Sequence, residues 1–206
     1  MKELVKRWLG RTVEEHGEKG AEFYDRTFAA DASWTLHYTS SGYYFLWTVI
    51  LDRLRRAGSR RILEVACGTG QLASAIRDAG LVETYHGFDF SPVRLDQARV
   101  TCPELVFTVE DAFETSLFDE LEYDCVIATE FLEHVDGDLE VLGRLKPGVR
   151  FIGTVPNFPY VSHVRHFTAT AEVEDRYGAT FESLSVVALR ADELDKTFFL
   201  LEGIKR

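Results

Sequence analysis

Three side chains near the middle of the chain have the types and the spacing of a reaction centre. Glu130, Glu133 and His134 follow one another within a single short segment. If this segment is helical, spacings of three and four residues place all three on one face. An imidazole titrates near neutral pH, so His134 is a candidate general base, with Glu130 as a second candidate catalytic group. The predicted chemistry is removal of a proton from a substrate group.

A second set of candidate residues surrounds a glycine turn in residues 61–70, which read R-I-L-E-V-A-C-G-T-G. The run from Arg61 to Ala66 is short and mostly apolar, which is typical of a strand buried on both faces of a parallel sheet. Gly68 and Gly70 permit a sharp turn and the close approach of a ligand. A helical pattern follows directly. Strand, glycine turn and helix together predict the start of a nucleotide-binding βαβ unit.

Glu64 discriminates between two ligands for this turn. The spacing of Gly68, Gly70 and Ala73 also fits the loose dinucleotide fingerprint, which would make the protein an NAD-type oxidoreductase. A carboxylate near the strand end would repel a pyrophosphate, whereas it would attract a cationic ligand that carries no phosphate. S-adenosylmethionine (SAM), with its sulfonium and amino groups, is such a ligand.

In these residues the chain resembles the class I SAM-dependent methyltransferases, whose first motif reads acid, three residues, Gly-x-Gly. Glu64, Gly68 and Gly70 match that motif. The resemblance implies a Rossmann-like enzyme that binds SAM, with Ala66 and also Thr129, at the end of the fourth predicted strand, in contact with the cofactor. A non-catalytic SAM-binding module that serves a partner enzyme is a further alternative.

Two later strand ends supply more cofactor candidates. Asp89 lies at the end of a strand predicted at residues 83–90, and a carboxylate there can accept hydrogen bonds from both ribose hydroxyls. Phe90 beside it can stack on adenine. The alternative for Asp89 is an acid that only marks a helix start. In the methyltransferases an acid after the third strand commonly meets the adenine amine, which implies Asp111, with the backbone of Ala112 beside it.

The Glu130, Glu133 and His134 cluster is similar to that of the ubiquinone-biosynthesis O-methyltransferases and the small-RNA 2′-O-methyltransferases. Some of those enzymes bind a divalent cation there, with a later histidine in the RNA enzymes, for which the resemblance implies His163. Two carboxylates and two imidazoles suit Mn²⁺ or Fe²⁺ better than Mg²⁺. Such an ion would lower the pKa of a substrate hydroxyl. Two alternatives stay open: His134 acts alone as a base, or these side chains only line a metal-free pocket.

The N-terminal region is predicted to be helical and is rich in aromatic residues. Residues 4–13 and 42–54 have helical periodicity, and aromatic side chains are dense in residues 22–47. Core packing explains most of these aromatic residues. The resemblance implies in addition a helical lid at residues 1–59 over the active site. The candidates for the substrate pocket are Tyr24, His37, Tyr38 and His163.

The remaining elements complete a seven-stranded α/β sheet. Strands are predicted at residues 123–129 and 148–157, followed by a helix at 169–178 and two final strands joined by a polar turn at 191–195. The predicted fold is a Rossmann-like, doubly wound sheet that is mostly parallel and has an antiparallel last strand. We expect residues 60–206 to form one methyltransferase domain beneath the lid.

Composition narrows the function classes further. The chain has 206 residues, enough for one sizeable domain, and a net charge of −11 that disfavours a nucleic-acid partner. Its three cysteines lack disulfide or zinc spacing, and no apolar run could cross a membrane, so we expect a cytoplasmic protein. We therefore predict methyl transfer from SAM to a hydroxyl, or less readily an amine, of a small-molecule metabolite. The sequence identifies neither the acceptor nor the oligomeric state.

Overall fold

A mixed sheet of seven strands forms the centre of the protein. The computed structural model describes residues 17–191 and 196–206; the helix predicted at residues 4–13 and most of the turn predicted at 191–195 lie outside these ranges. The strands are β1 (Arg61–Val65), β2 (Thr84–Asp89), β3 (Val106–Val109), β4 (Cys125–Thr129), β5 (Arg150–Pro156), β6 (Phe181–Arg190) and β7 (Thr197–Lys205). Their order across the sheet is β3-β2-β1-β4-β5-β7-β6.

The strand directions confirm the predicted sheet. Pairings from β3 to β5 are all parallel. Strand β7 is antiparallel to both of its neighbours, β5 and β6, so it alone runs against the rest. Strands β1 and β4 are adjacent at the point where the strand order reverses. In a doubly wound sheet, ligands bind in the crevice at the carboxyl ends of such strands.

Helices cover both faces of the sheet. They are α1 (Ala21–Ala30), α2 (Tyr44–Ala57), α3 (Gln71–Asp78), α4 (Pro92–Thr101), α5 (Leu117–Glu120), α6 (Asp138–Gly143) and α7 (Thr170–Tyr177), with short 3₁₀ turns at Ala32–Thr35, Tyr38–Ser40 and Gly178–Thr180. No helix in the described ranges is both long and apolar enough to span a membrane.

Two apolar cores lie on opposite faces of the sheet, and strand β1 supplies both. Ile62 joins buried side chains of α2, α3 and α4 on one face, whereas Leu63 and Val65 join those of α5, α6 and α7 on the other. This alternation explains why the strand reads as a continuous apolar run in the sequence. Glu64 faces the same side as Ile62, and is the one charged residue of the strand that is fully buried.

Local signals in the sequence set where the helices begin and end. Helix α4 begins after Ser91, whose hydroxyl accepts a hydrogen bond from the backbone N–H of Arg94 at 3.2 Å, and Pro92 is its first residue. Helix α2 ends at Gly58, which has a left-handed backbone with φ of 69°. The bounds of α2 lie within a few residues of the helix predicted at 42–54.

The segment after β4 is not the helix that was considered for it. Residues 130–137 are not helical; they form a turn after β4, and the next helix begins at Asp138. Glu130, Glu133 and His134 therefore do not share a helix face. In the turn their three side chains point in different directions. Contacts with distant parts of the chain stabilise this turn.

Candidate functional site

The glycine turn after β1 has a backbone that few residues can adopt. Ala66, Gly68 and Gly70 all have positive φ angles, of 54°, 54° and 75°. A Cβ atom at Gly70 would lie only 3.1 Å from the Cβ of Ala98 on α4, so this glycine also permits close helix packing. The turn thus brings backbone N–H groups to the edge of the sheet with no side chain above Gly68.

Asp89 is connected to this turn. Its carboxylate is 4% exposed and accepts hydrogen bonds from the backbone N–H of Gly68 at 3.0 Å and of Ser91 at 2.9 Å. These bonds tie the end of β2 to the glycine turn of β1. One carboxylate therefore organises two strand ends, and the site is formed before any ligand arrives.

Glu64 lies beneath the same turn and is 2% exposed. The Tyr85 hydroxyl donates a hydrogen bond of 2.6 Å to its carboxylate. Burial raises the pKa of Glu64 to about 8, an effect that this hydrogen bond opposes and that the negative charge of Asp89 strengthens. The carboxyl group is therefore largely protonated at neutral pH, and a nearby cation would favour its ionised form.

Two cavities meet above the strand ends. The larger has a volume of about 490 Å³ and is lined by Glu64, Gly68, Thr129 and many aromatic side chains. The smaller, of about 120 Å³, is lined by Asp89, Phe90, Asp111 and Ala112 among others. Five residues line both cavities, which places them where the two meet: Tyr24, Ala66, Arg94, Glu130 and His134.

The turn after β4 holds two buried carboxyl groups. Glu130 has a positive φ of 51°, and its side chain accepts a hydrogen bond from the Thr154 hydroxyl at 2.9 Å. Glu133 is 0% exposed, and neither of its carboxylate oxygens has a hydrogen-bond partner among the described residues. Burial raises the pKa of Glu133 well above its usual range, and the charge of Glu130 raises it further.

Two histidines lie beside Glu133. The rings of His134 and His163 pack edge to face with centroids 4.8 Å apart. The Nδ1 atoms lie 2.9 Å from the Ser162 carbonyl oxygen and 3.0 Å from the Phe158 carbonyl oxygen. Because a carbonyl only accepts hydrogen bonds, each Nδ1 is the donor, and Nε2 is the ligand atom of each neutral ring. Burial lowers the pKa of His134 to about 4, so this ring is neutral at pH 7.

These side chains form a cluster of metal-ligand types. One ligand atom each from Glu133, His134 and His163 lies within 4.8 Å of the others. Glu130, the fourth predicted metal candidate, is not part of this group and instead contacts Thr154. The structure thus brings together three of the four predicted ligands, although not through the helix that the spacing suggested.

An ion pair behind the cluster holds the β4 turn. Arg165 donates hydrogen bonds to the carbonyl oxygens of Leu132, Val135 and Asp136. Its Nη1 atom lies 3.2 Å from the Asp138 carboxylate, which is completely buried and also pairs with Arg176. These bonds satisfy carbonyl groups of the turn that a helix would have used internally.

The predicted substrate-pocket residues fall in two places. Tyr24, on α1, lines both cavities and packs against His134, with ring centroids 5.8 Å apart. His163 lines the larger cavity. His37 and Tyr38 line neither cavity; His37 is exposed and accepts a hydrogen bond from the backbone N–H of Thr39. The structure therefore does not bring His37 and Tyr38 to the site.

Known proteins are similar in sequence to the segment that carries these residues. Residues 62–148, which include the glycine turn, Asp89 and the β4 turn, match the family model described as "Methyltransferase domain". A ubiquinone biosynthesis O-methyltransferase of Histophilus somni is 34% identical over 110 residues, which are 47% of this chain and 45% of that protein. Over this segment the chain is similar to SAM-dependent methyltransferases.

Solved methyltransferase structures share the fold. Magnesium protoporphyrin IX methyltransferase of Synechocystis with bound SAM superposes with a TM-score of 0.60 at 16% identity, covering 80% of each chain. The methyltransferase domain of bacterial CtHen1-CN gives a TM-score of 0.58 at 18% identity and covers 75% of this chain and 96% of that one. At these identities the likeness concerns the fold. The curated match spans less than half of the relative's length, so activity and acceptor are inferred from the site itself.

The structure distributes the predicted cofactor residues over both cavities. The larger cavity has Glu64, Gly68 and Thr129, the smaller has Asp89, Phe90, Asp111 and Ala112, and Ala66 lines both. Gly70 lines neither and acts through the backbone turn. The contacts of these residues with SAM stay predictions.

Arg94 and Gln71 are among the site residues that were not predicted from the sequence. Arg94 lines both cavities from the first turn of α4. The Gln71 side chain donates hydrogen bonds to the carbonyl oxygens of Ser33 and Leu36, at 3.3 and 2.7 Å, and so joins the glycine turn to the N-terminal region. The sequence did contain a signal for Arg94. It places a cation in the first turn of a helix, where the helix dipole is unfavourable for it.

Proposed function

We propose that this protein transfers the methyl group of SAM to a hydroxyl group of a small molecule, with an amine as the alternative acceptor. The observation that carries the proposal is the pair of joined cavities. The smaller one offers an aromatic ring, a ribose-type carboxylate and Asp111, which suits an adenosine group. The larger one offers the Glu64 carboxyl group, which forms no ion pair with the described residues and would ionise beside the cationic end of SAM.

In this arrangement the methyl group lies where the cavities meet, beside Tyr24 and His134. The chain aligns the acceptor oxygen with the methyl carbon and excludes water, which supplies most of the rate in a direct displacement. A C–O bond forms while the C–S bond breaks, and its electron pair stays on sulfur. As the bond forms, the hydroxyl becomes strongly acidic. Nε2 of the neutral His134 ring then takes the proton, although the pKa of His134 is only about 4.

Calorimetry tests the cofactor part of the proposal. SAM and S-adenosylhomocysteine (SAH) are titrated into the protein at pH 7 in two buffers with different ionisation enthalpies. We expect binding with release of a proton from Glu64, because a cationic ligand favours its ionised form. The Glu64→Gln variant, which keeps the Tyr85 contact, should bind more weakly and lose that proton release. If the intact protein binds neither ligand, the proposal is wrong.

An acceptor screen tests the catalytic part. The protein is incubated with labelled SAM and a panel of phenols, hydroxy acids and amines, and transfer of the label is measured. Turnover that requires His134 supports the proposal, with His37→Asn as a matched control because His37 is exposed and outside both cavities. Tight SAH binding without turnover of any acceptor would favour a non-catalytic SAM-binding module. Enhancement of NADH fluorescence on mixing would instead favour an oxidoreductase.

As the alternative to a free His134 base, we propose a divalent cation at Glu133, His134 and His163, which would use the Nε2 atom of His134. The unpartnered Glu133 carboxylate and the two imidazoles fit such an ion, and both rings donate Nδ1–H to carbonyl oxygens, as metal-bound histidines commonly do. A bound ion would acidify the acceptor hydroxyl. Metal content after dialysis against Mn²⁺ tests this directly. We expect retention by the wild type and loss in Glu133→Ala, and equal content in both would refute the site.

Residues 1–59 are proposed to act as a lid over the acceptor. Within the described part of the chain, helix α1 contributes Tyr24 to both cavities, and Asp25 accepts a hydrogen bond from Ser91 Oγ at 2.5 Å. These contacts join α1 to the start of α4. A truncation that starts at residue 42 should keep the sheet but lose acceptor turnover.

A further inference from the structure

Arg94 is a cation in an unfavourable place. It lies in the first turn of α4, where the positive end of the helix dipole disfavours a guanidinium group. It is half-buried, and burial lowers the pKa of its side chain. No carboxylate of the described residues lies within ion-pair distance of it, whereas most other buried arginines of the site region are paired, as Arg165 and Arg176 are with Asp138.

The carboxylates near Arg94 already have other donors. Asp89 accepts from the backbone N–H of Gly68 and Ser91, and Asp25 accepts from the Ser91 hydroxyl. Both attract Arg94 only through space. Neutral donors therefore bind the nearest carboxylates, and the guanidinium forms no ion pair with the described residues.

Aromatic side chains hold the guanidinium group in one place. Its central carbon lies 5.0 Å from the ring centres of both Tyr24 and Trp34, and Nη2 lies 3.2 Å from the Thr27 hydroxyl. The Nε atom is buried and has no hydrogen-bond partner among the described residues. A guanidinium group with rings around it and an unused donor is arranged to bind a planar anion.

We propose that Arg94 binds a carboxylate where the two cavities meet. A carboxylate can accept two parallel hydrogen bonds from a guanidinium edge, one of them from Nε, and so satisfy the unused donor. The inference rests on the proposed function for the source of the carboxylate, which is either the amino-acid end of SAM or an acidic group on the acceptor. The site itself does not depend on that choice.

Two adenosine ligands distinguish a carboxylate site for SAM from one for the acceptor, and both from a loss of packing around Arg94. SAH carries the carboxylate, whereas 5′-methylthioadenosine has the same adenosine and thioether without it. Calorimetry with both ligands is compared between wild type and Arg94→Gln. The control is Arg99→Gln, on the same helix, where the guanidinium is paired with Asp96 at 2.9 Å and lines neither cavity.

If the carboxylate belongs to SAM, Arg94→Gln weakens SAH binding by about tenfold or more and leaves methylthioadenosine binding within twofold. If it belongs to the acceptor, both adenosine ligands bind as in wild type. Benzoate then binds to the wild type but not to Arg94→Gln, and neutral benzamide shows no such difference. Arg99→Gln should behave as wild type in each case.

Two results would overturn the inference. Equal weakening of SAH and methylthioadenosine would show that Arg94 only packs the N-terminal region, and unchanged binding of SAH and benzoate would show no carboxylate site. Thermal unfolding of each variant identifies loss of folding, and Arg94→Lys then repeats the comparison with the charge retained. If SAH does not bind to the wild type, the proposed function fails, while the benzoate and benzamide comparison still tests the site.

Discussion

The turns after β1 and β4 begin alike and then differ in how their polar groups are satisfied. Each starts with a non-glycine residue of positive φ, Ala66 at 54° and Glu130 at 51°. At the first turn, Asp89 and Glu64 have hydrogen-bond donors within the protein. At the second, the buried carboxylate of Glu133 accepts no hydrogen bond from the described residues, and Nε2 of His134 lies 3.7 Å away. The carboxyl groups of the first turn are thus hydrogen-bonded within the protein. The second turn has a buried carboxyl group that a bound ligand or ion could still pair with.

The buried carboxyl group of the β4 turn lowers the free energy of unfolding, because it accepts no hydrogen bond from the described residues. A buried polar group without a hydrogen bond costs about 1–3 kcal/mol, and positive φ at a non-glycine residue costs a similar amount. Such costs persist mainly at functional sites. We therefore expect changes at the β1 turn to lower ligand affinity and stability together, and changes at the β4 turn to separate activity from stability.

The largest effect is expected at Glu133. Replacement by Gln keeps the shape of the side chain and removes the carboxylate that lies 3.7 Å from Nε2 of His134. We expect turnover to fall by about 10²–10³-fold, with SAH affinity within twofold of wild type and a Tm no lower than wild type. Steady-state kinetics, calorimetry and thermal unfolding measure the three quantities. The exposed Glu122→Gln is the control, and near-normal turnover in Glu133→Gln would contradict the comparison.

Asp138→Ala should give the next largest effect by loosening the β4 turn from behind. This buried carboxylate is paired with Arg165 and Arg176 and accepts a hydrogen bond from the Tyr177 hydroxyl at 2.7 Å. We expect the free energy of unfolding to fall by about 3 kcal/mol in urea titrations, because two guanidinium groups lose their partner. Glu140→Ala, an exposed acid on the same helix, should change it by less than about 0.5 kcal/mol. Equal effects of the two variants would argue against this role.

Asp89→Asn tests whether a change at the β1 turn lowers ligand affinity and stability together. The amide presents one acceptor oxygen where the carboxylate presents two, so one of the N–H groups of Gly68 and Ser91 loses its charged partner. We expect stability to fall by about 2 kcal/mol and SAH affinity to fall by about tenfold or more. Calorimetry and urea unfolding on the same preparation check both. A loss of affinity with unchanged stability would show that the two turns are built alike.

The smallest expected effect is the pH dependence from Glu64. Its pKa is raised to about 8 by burial, so the folded protein keeps a proton that the unfolded chain releases above about pH 4.5. The free energy of unfolding must then fall as pH rises from about 5 to about 8. Tyr85, Asp89 and Cys67 are the titratable groups that influence it most closely. Wild type should lose about 1 kcal/mol relative to Glu64→Gln between pH 7 and 8, and parallel curves would contradict this.

Local signals in the sequence predicted much of the fold and the cofactor side of the site. Glu64, Gly68 and Gly70 lie in one continuous segment, and Asp89 follows an apolar strand, so their positions depend on local backbone structure. The parallel order and the antiparallel β7 followed from the sequence of strands and helices. The structure confirms these elements with shifts of a few residues at their ends.

The acceptor side was harder to predict because distant contacts shape it. Residues 130–137 form a turn and not the helix considered for Glu130–His134, and Arg165, some thirty positions later, binds carbonyl groups of this turn. Aromatic content alone did not distinguish Tyr24, which reaches both cavities, from Tyr38, which packs on His37 with ring centres 4.2 Å apart. Arg94 was missed because its partners come from α1 and the following 3₁₀ turn.

The three cysteines, all free and all buried, make this chain convenient for spectroscopy. A buried thiol with a raised pKa, as at Cys67, reacts slowly with maleimide dyes. New cysteines at the exposed positions Glu22 on α1 and Asp96 on α4 would therefore be labelled selectively in the native protein. Energy transfer between two such dyes would report directly on the distance between these helices as SAM and acceptor molecules bind and leave.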